Sequence, residues 1–476
     1  MNIEETLFSY FRQISAIPRA SYKEAKIAEY LMDFAQKHSL TAIRDKANNV
    51  LIRKSASSGC ESAPTVLLQG HTDMVCEKNA ATEHDFDREG IRLIRDGDYL
   101  RADGTTLGAD DGYAVAAMLS VLSDDTIRHP ALECLFTTSE EVGMDGMREF
   151  DKNLLRARLM INLDSCEESY ATASCAGGVR SSLVRSCTPE PFHGTILRLF
   201  VSGLAGGHSG EEIDKERGNA LKISARLLNT VAGESGFSLI SAEGGNKDNA
   251  IPRECSILFT VSDRDTACAS IRREAAAVAA ELTEADRAFS VTVTEEAYSG
   301  SRMDRSSSVA LTALLRVLPC GPQHMSAHVS ALVETSVNTA VLRASPERCE
   351  LTLSSRSSVE TRLDDLCSVI AECASLCGFS CEHRGRYPAW SFRDDSRIQE
   401  VYSRAFRDCF GKDAKIIGIH AGLECGLLSR EIPDMDMISI GPDMYDIHTP
   451  AERLSVPSAV RMYDLLLHML NGLAQA

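Results

Sequence analysis

The sequence predicts an α/β protein: a mostly parallel sheet flanked by helices, interrupted by an inserted α+β domain. Short apolar runs at 65–69, 131–137 and 159–163 have strand length, and each ends in a polar cluster. A helical segment at 111–122 separates the first two. Strands alternating with helices build a largely parallel sheet covered on both faces. Ligands of such sheets sit beyond the carboxyl ends of the strands. The runs end at His71, Glu140 and Asp164, so these polar residues are the first to examine.

The other elements follow in order. Residues 3–34 carry helical periodicity broken at Pro18. Near Thr195 the character changes: a strand at 196–201 leads into the glycine-rich GLAGGHSG and a helix at 218–232. Strand-like runs at 255–261 and 349–354 and helices at 267–282 and 363–376 complete the insert. After Tyr387 strands return at 415–419 and 436–440, and a helix runs from Pro457. The expected organisation is a discontinuous catalytic domain, 1–190 with 386–476, around an inserted domain at 191–385. The pattern contains no internal repeat and no low-complexity segment.

With 50 Lys and Arg against 68 Asp and Glu, the 476-residue chain carries a net charge of −18. Such a surface repels phosphate backbones and anionic lipid, which argues against nucleic acid or membrane as partner. The N-terminus shows early acids and no signal-peptide pattern. No run approaches the ~18 apolar residues of a membrane span. The 16 cysteines are scattered without a CxxC pair, which fits a reducing cytosol. Cys373, Cys377 and Cys381, spaced i, i+4, i+8, predict a buried helical stripe of packed thiols.

Five clusters can carry chemistry: His71-Thr72-Asp73, Asp110-Asp111, Glu140-Glu141, Asp164 and His448 in IHTP. Two histidines with several carboxylates form a nitrogen and oxygen set suited to zinc, or to manganese or cobalt. On an extended segment residues i and i+2 point the same way, so Asp73 can accept a hydrogen bond from the His71 imidazole. Glu140 and Glu141, as extended neighbours, would face opposite ways, one toward metal and one toward substrate. Asp110 opens a helix after Gly108, where a carboxylate could bridge two cations. Each cluster also has a plainer origin: chance for His-x-Asp, a solvated face for Glu-Glu, a helix cap for Asp110-Asp111. Their joint position at consecutive strand ends is what favours a metal site.

LLQGHTDMV, DGTTLGADDG, TTSEEVGMDG, INLDS and GPDMYDIHTPAERL resemble the zinc aminopeptidase and aminoacylase-type metallopeptidases that carry a lid domain. GGHSGEEID, GGNKDNAIPRE, LVETSVNTAVL, LTLSSRSS and HAGLECG resemble, within them, the aminoacyl-histidine (Xaa-His) dipeptidases. The resemblance implies a metallo-dipeptidase with two zinc ions per subunit, replaceable by cobalt or manganese. His71 and Asp164 would hold one ion, Glu141 and His448 the other, with Asp110 shared. It further implies Glu140 as general base acting on a water held between the ions, and Asp73 as orienting partner of His71. Among substrate contacts it implies His208 at the oxyanion, across a dimer interface, and Asn249 and Arg356 at the carbonyl and terminal carboxylate. His420 and Glu424, which frame Gly422, would meet the substrate's amino end or backbone, with Gly422 and Glu424 counted among the substrate contacts. A cytoplasmic homodimer through the lid domain is the implied assembly.

Two departures stand out. Asp111 replaces the Asn usual after the shared position, and Cys166 follows Asp164 by two residues. The alternatives are an amidohydrolase that deacylates N-acyl amino acids and a non-catalytic dimeric binding protein.

Overall fold

The computed structural model describes residues 3–192, 194–234 and 236–475. The chain forms two compact units, Met1–Ser174 with Trp390–Gly418 and Leu423–Ala476, and Cys175–Ala389 with Ile419–Gly422.

An eight-stranded sheet runs through the first unit. Its order is Thr41–Arg44, Val50–Lys54, Leu132–Thr137, Val66–His71, Leu159–Asn162, Asp436–Ser439, Ala171–Cys175 and Ile416–Ile419. The four middle strands, 132–137, 66–71, 159–162 and 436–439, are parallel, and antiparallel strands lie outside them. These four are buried at every residue, as strands covered on both faces must be. Helix Ala109–Ser123 reads AVAAMLSVL through its centre and is apolar all round because it is buried all round. It packs on strand Val66–His71 and on helix Ile3–Ser15. The α/β architecture expected from the sequence is therefore present, with the parallel strands delivering their carboxyl ends to one edge.

The second unit is built on a nine-stranded antiparallel sheet centred on Phe237–Gly244, Val333–Ala344 and Arg348–Ser357. Helices Ala220–Glu234, Arg264–Glu281, Arg305–Val317 and Glu360–Leu376 belong to this unit. Strand Thr195–Ser202 shows the period of two: Leu197, Leu199 and Val201 enter the core, whereas Arg198 pairs with Glu296 at 3.0 Å.

The cysteine stripe expected at 373–381 is not helical throughout. The helix stops at Leu376, Gly378 turns the chain at φ +71°, and Cys381 lies in strand Ser380–Tyr387. A left-handed glycine just past a helix end is a common stop. The three thiols pack against the core of the second unit.

Candidate active site

His71 closes the buried strand Val66–His71, with 1% of its surface exposed. Its Nε2 lies 3.0 Å from Asp110 Oδ1 and 3.7 Å from Asp164 Oδ1. His448 Nε2 lies 3.2 Å from Asp110 Oδ2 and 3.1 Å from Glu141 Oε2. Asp110 thus stands in two trios, His71–Asp110–Asp164 and Asp110–Glu141–His448, each with donor atoms within 4.8 Å of one another. All five expected metal ligands come together in the first unit.

Asp73, fully buried, organises the loops around them. Its Oδ1 is 3.3 Å from His71 Nδ1. It accepts the backbone N–H groups of Glu140 (3.1 Å) and Glu141 (3.3 Å) and the hydroxyl of Ser21 (2.8 Å). Glu140 and Glu141 are not extended neighbours, as the sequence reading assumed. They sit in a turn entered through Ser139 at φ +51°, where Gly143 and Met144 donate to the Glu140 carbonyl. The reason is local: Asp73 draws both amides to one side, and Glu24 accepts the Ser139 N–H and hydroxyl at 2.8 and 2.9 Å.

Asp111 belongs to neither trio. It is completely buried and accepts the N–H groups of His71 (3.2 Å) and Ala114 (3.3 Å). Burial pushes its carboxyl well above the usual range. Cys166 packs against the core of the first unit, and burial raises its thiol in the same way.

The charges are crowded. Burial pushes Glu140 up to about 8, with Glu424, Glu141 and Asp110 adding to the effect against His71. Burial, Asp111 and Asp110 likewise raise Asp164 against the pull of His71. Hydrogen bonds to Asp110 and Glu141 lift His448 to about 10. Burial opposes charge on His71, but Asp110, Asp164 and Asp73 together hold its pKa well above the ordinary value. Glu141 Oε1 is buried without a hydrogen-bond partner among the described residues. An orphaned carboxylate oxygen beside the other donors of its trio is a site a divalent cation satisfies. The nitrogen and oxygen donors, with no thiolate, suit zinc. Elsewhere in the unit, Cys409, Asp464 and His468 also converge, but Asp464 and His468 are an i,i+4 pair on an exposed helix face.

The expected substrate contacts divide between the units. In the second unit His208 lies in the short strand Gly207–His208, paired with Ala250–Ile251. Its Nδ1 accepts the Glu211 N–H at 3.2 Å, which places the ring proton on Nε2. Asn249 holds the same loop by accepting the Ser209 N–H on its carbonyl at 2.9 Å. Arg356 is 9% exposed and donates from Nη1 to the Tyr387 hydroxyl at 3.1 Å. His420 Nε2 is 2.6 Å from Ser336 Oγ; burial, with Arg356 and His208 nearby, drops its pKa to about 3. Gly422 lies in the turn after strand Ile416–Ile419, where Ala176 donates to the carbonyls of Ile419 and Ala421.

Glu424 belongs to the first unit and has no exposed surface. Its Oε2 accepts from Gln69 Nε2 (2.5 Å) and Thr137 Oγ1 (2.7 Å). Its Oε2 thus meets the chain's own strand ends, while its Oε1 is buried without a hydrogen-bond partner among the described residues. Gln69 in turn accepts from Asn162 at 2.7 Å, so one buried polar layer joins the strands leading to His71, Glu140 and Asp164.

A family model described as peptidase family M20/M25/M40 matches residues 67–472. The cytosol non-specific dipeptidase of Escherichia coli is 35% identical over 98% of this chain and 97% of its own length. The crystal structure of an aminoacylhistidine dipeptidase from Vibrio alginolyticus matches with a TM-score of 0.94 at 32% identity, covering 99% of this chain and 98% of that one. An aminopeptidase from Bacillus cereus, at 15% identity and a TM-score of 0.57 over 99% of both chains, shares the fold. The chain is thus an enzyme belonging to peptidase family M20/M25/M40.

Proposed function

We propose that the chain is a di-zinc dipeptidase that hydrolyses unblocked dipeptides, Xaa-His among them. The observation that carries this reading is Asp110, one carboxylate reaching His71 at 3.0 Å and His448 at 3.2 Å from its two oxygens. Near-full-length similarity to two proteins described as dipeptidases supports the substrate class. His71 and Asp164 would hold one zinc, Glu141 and His448 the other, with Asp110 shared. When bound, such ions lower the pKa of water toward about 7 and polarise the scissile carbonyl.

The chain's own groups do the rest. Asp73 fixes the His71 ring and both backbone amides of the Glu140 turn, so the base and the ligand keep one spacing. Glu140 takes the proton of the attacking water and hands it to the leaving amine. In the second unit, the Nε2–H of His208 is the donor we assign to the oxyanion, which is worth about 3 kcal/mol in such roles. Arg356 is assigned the terminal carboxylate, because a planar fork binds both oxygens. Asn249 and Gly422 are assigned the substrate's carbonyl and backbone. We read the second unit as lid and dimerisation domain. Sixteen free thiols support a cytosolic setting. Among the described residues, no helix is long and apolar enough to cross a membrane.

Assay against Ala-His and N-acetyl-His separates this reading from an amidohydrolase. Turnover of Ala-His with N-acetyl-His inert is expected; the reverse order would refute the dipeptidase reading.

A further inference from the structure

Arg19 and Glu452 converge on the backbone that carries the shared carboxylate. Arg19 is 2% exposed, and its Nη1 donates to the carbonyls of Thr72 (2.9 Å) and Asp73 (3.1 Å). Its Nη2 donates to the carbonyl of Gly108 at 2.5 Å. Glu452, also 2% exposed, accepts the N–H groups of Leu107 (2.7 Å) and Gly108 (3.0 Å) on Oε2. Its Oε1 accepts that of Ala109 at 2.8 Å. The peptide units just before Asp110 are therefore held on their N–H side by a carboxylate and on a carbonyl by a guanidinium. The same guanidinium holds the segment between His71 and Asp73.

The sequence makes room for this. Gly108 sits at φ +67°, and a methyl group there would stand 2.5 Å from Arg19 Nη2 and 2.8 Å from Met74 Sδ. At Gly112 it would stand 2.9 Å from the same nitrogen. Two glycines flanking Asp110 thus open the space that the guanidinium fills. Burying an arginine is costly unless it is paired and hydrogen-bonded, and here Glu452 is the foremost of the charges that offset the burial.

We propose that Arg19 and Glu452 are positioning residues for the reaction: together they set the spacing between His71–Asp73 and Asp110 at which these donors meet one cation. The inference rests on the proposed metal site. Lysine at position 19 keeps the charge beside Glu452 but, as one compact ammonium, does not span two loops as a planar fork does.

The test measures zinc affinity of chelator-stripped protein by competition with a chromophoric chelator, alongside kcat and KM for Ala-His. R19K is compared with G112A, which adds a methyl group 2.9 Å from Nη2 and 3.2 Å from the Phe11 ring. L31A, a cavity in the core of the first unit, is the control for lost stability alone. R19K and G112A are expected to weaken zinc binding about 10–100-fold and to lower kcat more than they change KM, while L31A keeps wild-type affinity. Wild-type affinity in both R19K and G112A overturns the proposal, and so does an equal loss in L31A. Should R19K fail to fold, G112A decides alone. A wild-type chain that binds no zinc refutes the metal site itself, and the positioning role falls with it.

Discussion

Replacing Glu140 with glutamine is expected to lower kcat on Ala-His by about 10²–10⁴-fold, the range for losing a positioned general base. The substitution keeps the shape and leaves both donor trios intact, since Glu140 belongs to neither. Metal content should therefore stay at the wild-type level, and KM should change little because the missing proton transfer belongs to the transition state. Burial, with Glu424, Glu141 and Asp110 adding to it, makes this side chain reluctant to ionise. Neutralising one carboxylate in so crowded a site should also leave folding intact. Steady-state kinetics with metal analysis on one preparation checks the prediction. Undiminished kcat would remove Glu140 from its assigned role.

Asp110→Ala should be worse for metal than any other single change. Removing one carboxylate takes a donor from both trios at once, leaving each with two protein ligands. Loss of a mere supporting partner costs about 10–100-fold in metal affinity, and a direct donor shared by two sites should exceed that at each. Metal should then be lost from both trios on dialysis, with activity following. Metal analysis of the dialysed variant checks it, with Asp164→Ala as the comparison, since that change touches one trio only. If D110A retains both ions, the two trios do not share a ligand.

Much of this was legible in the sequence because strand ends announce themselves. Apolar runs of five to seven residues ending at His71, near Glu140 and at Asp164 lie in parallel strands whose carboxyl ends gather in space. Other parts were hidden for physical reasons. Arg19 and Glu452 bind backbone rather than side chains, so no pairing of residue types reveals them. The buried hydrogen bonds of Glu424 were hidden because its neighbours in HAGLECG lie in a turn, whereas its own Oε2 reaches Gln69 and Thr137, distant in sequence. The turn at Glu140 was read as extended because nothing local to Glu-Glu shows the pull of Asp73, distant in sequence. The cysteine spacing suggested one helix, and the signal against it was Gly378, a residue able to stop a helix at positive φ.

Asp111 shows how a departure from a pattern can be absorbed. An extra acid beside a metal ligand looks disruptive until its surroundings are seen: two backbone N–H groups and complete burial. Held there, it supports the His71 backbone instead of competing for a cation.

Turnover should depend on two cations held by the shared carboxylate. Zinc titrated into chelator-stripped protein, with Ala-His hydrolysis followed at each addition, tests it most directly. No activity is expected without metal, and a rise that saturates at about two equivalents per chain is expected on addition. Full hydrolysis by the stripped protein would contradict it.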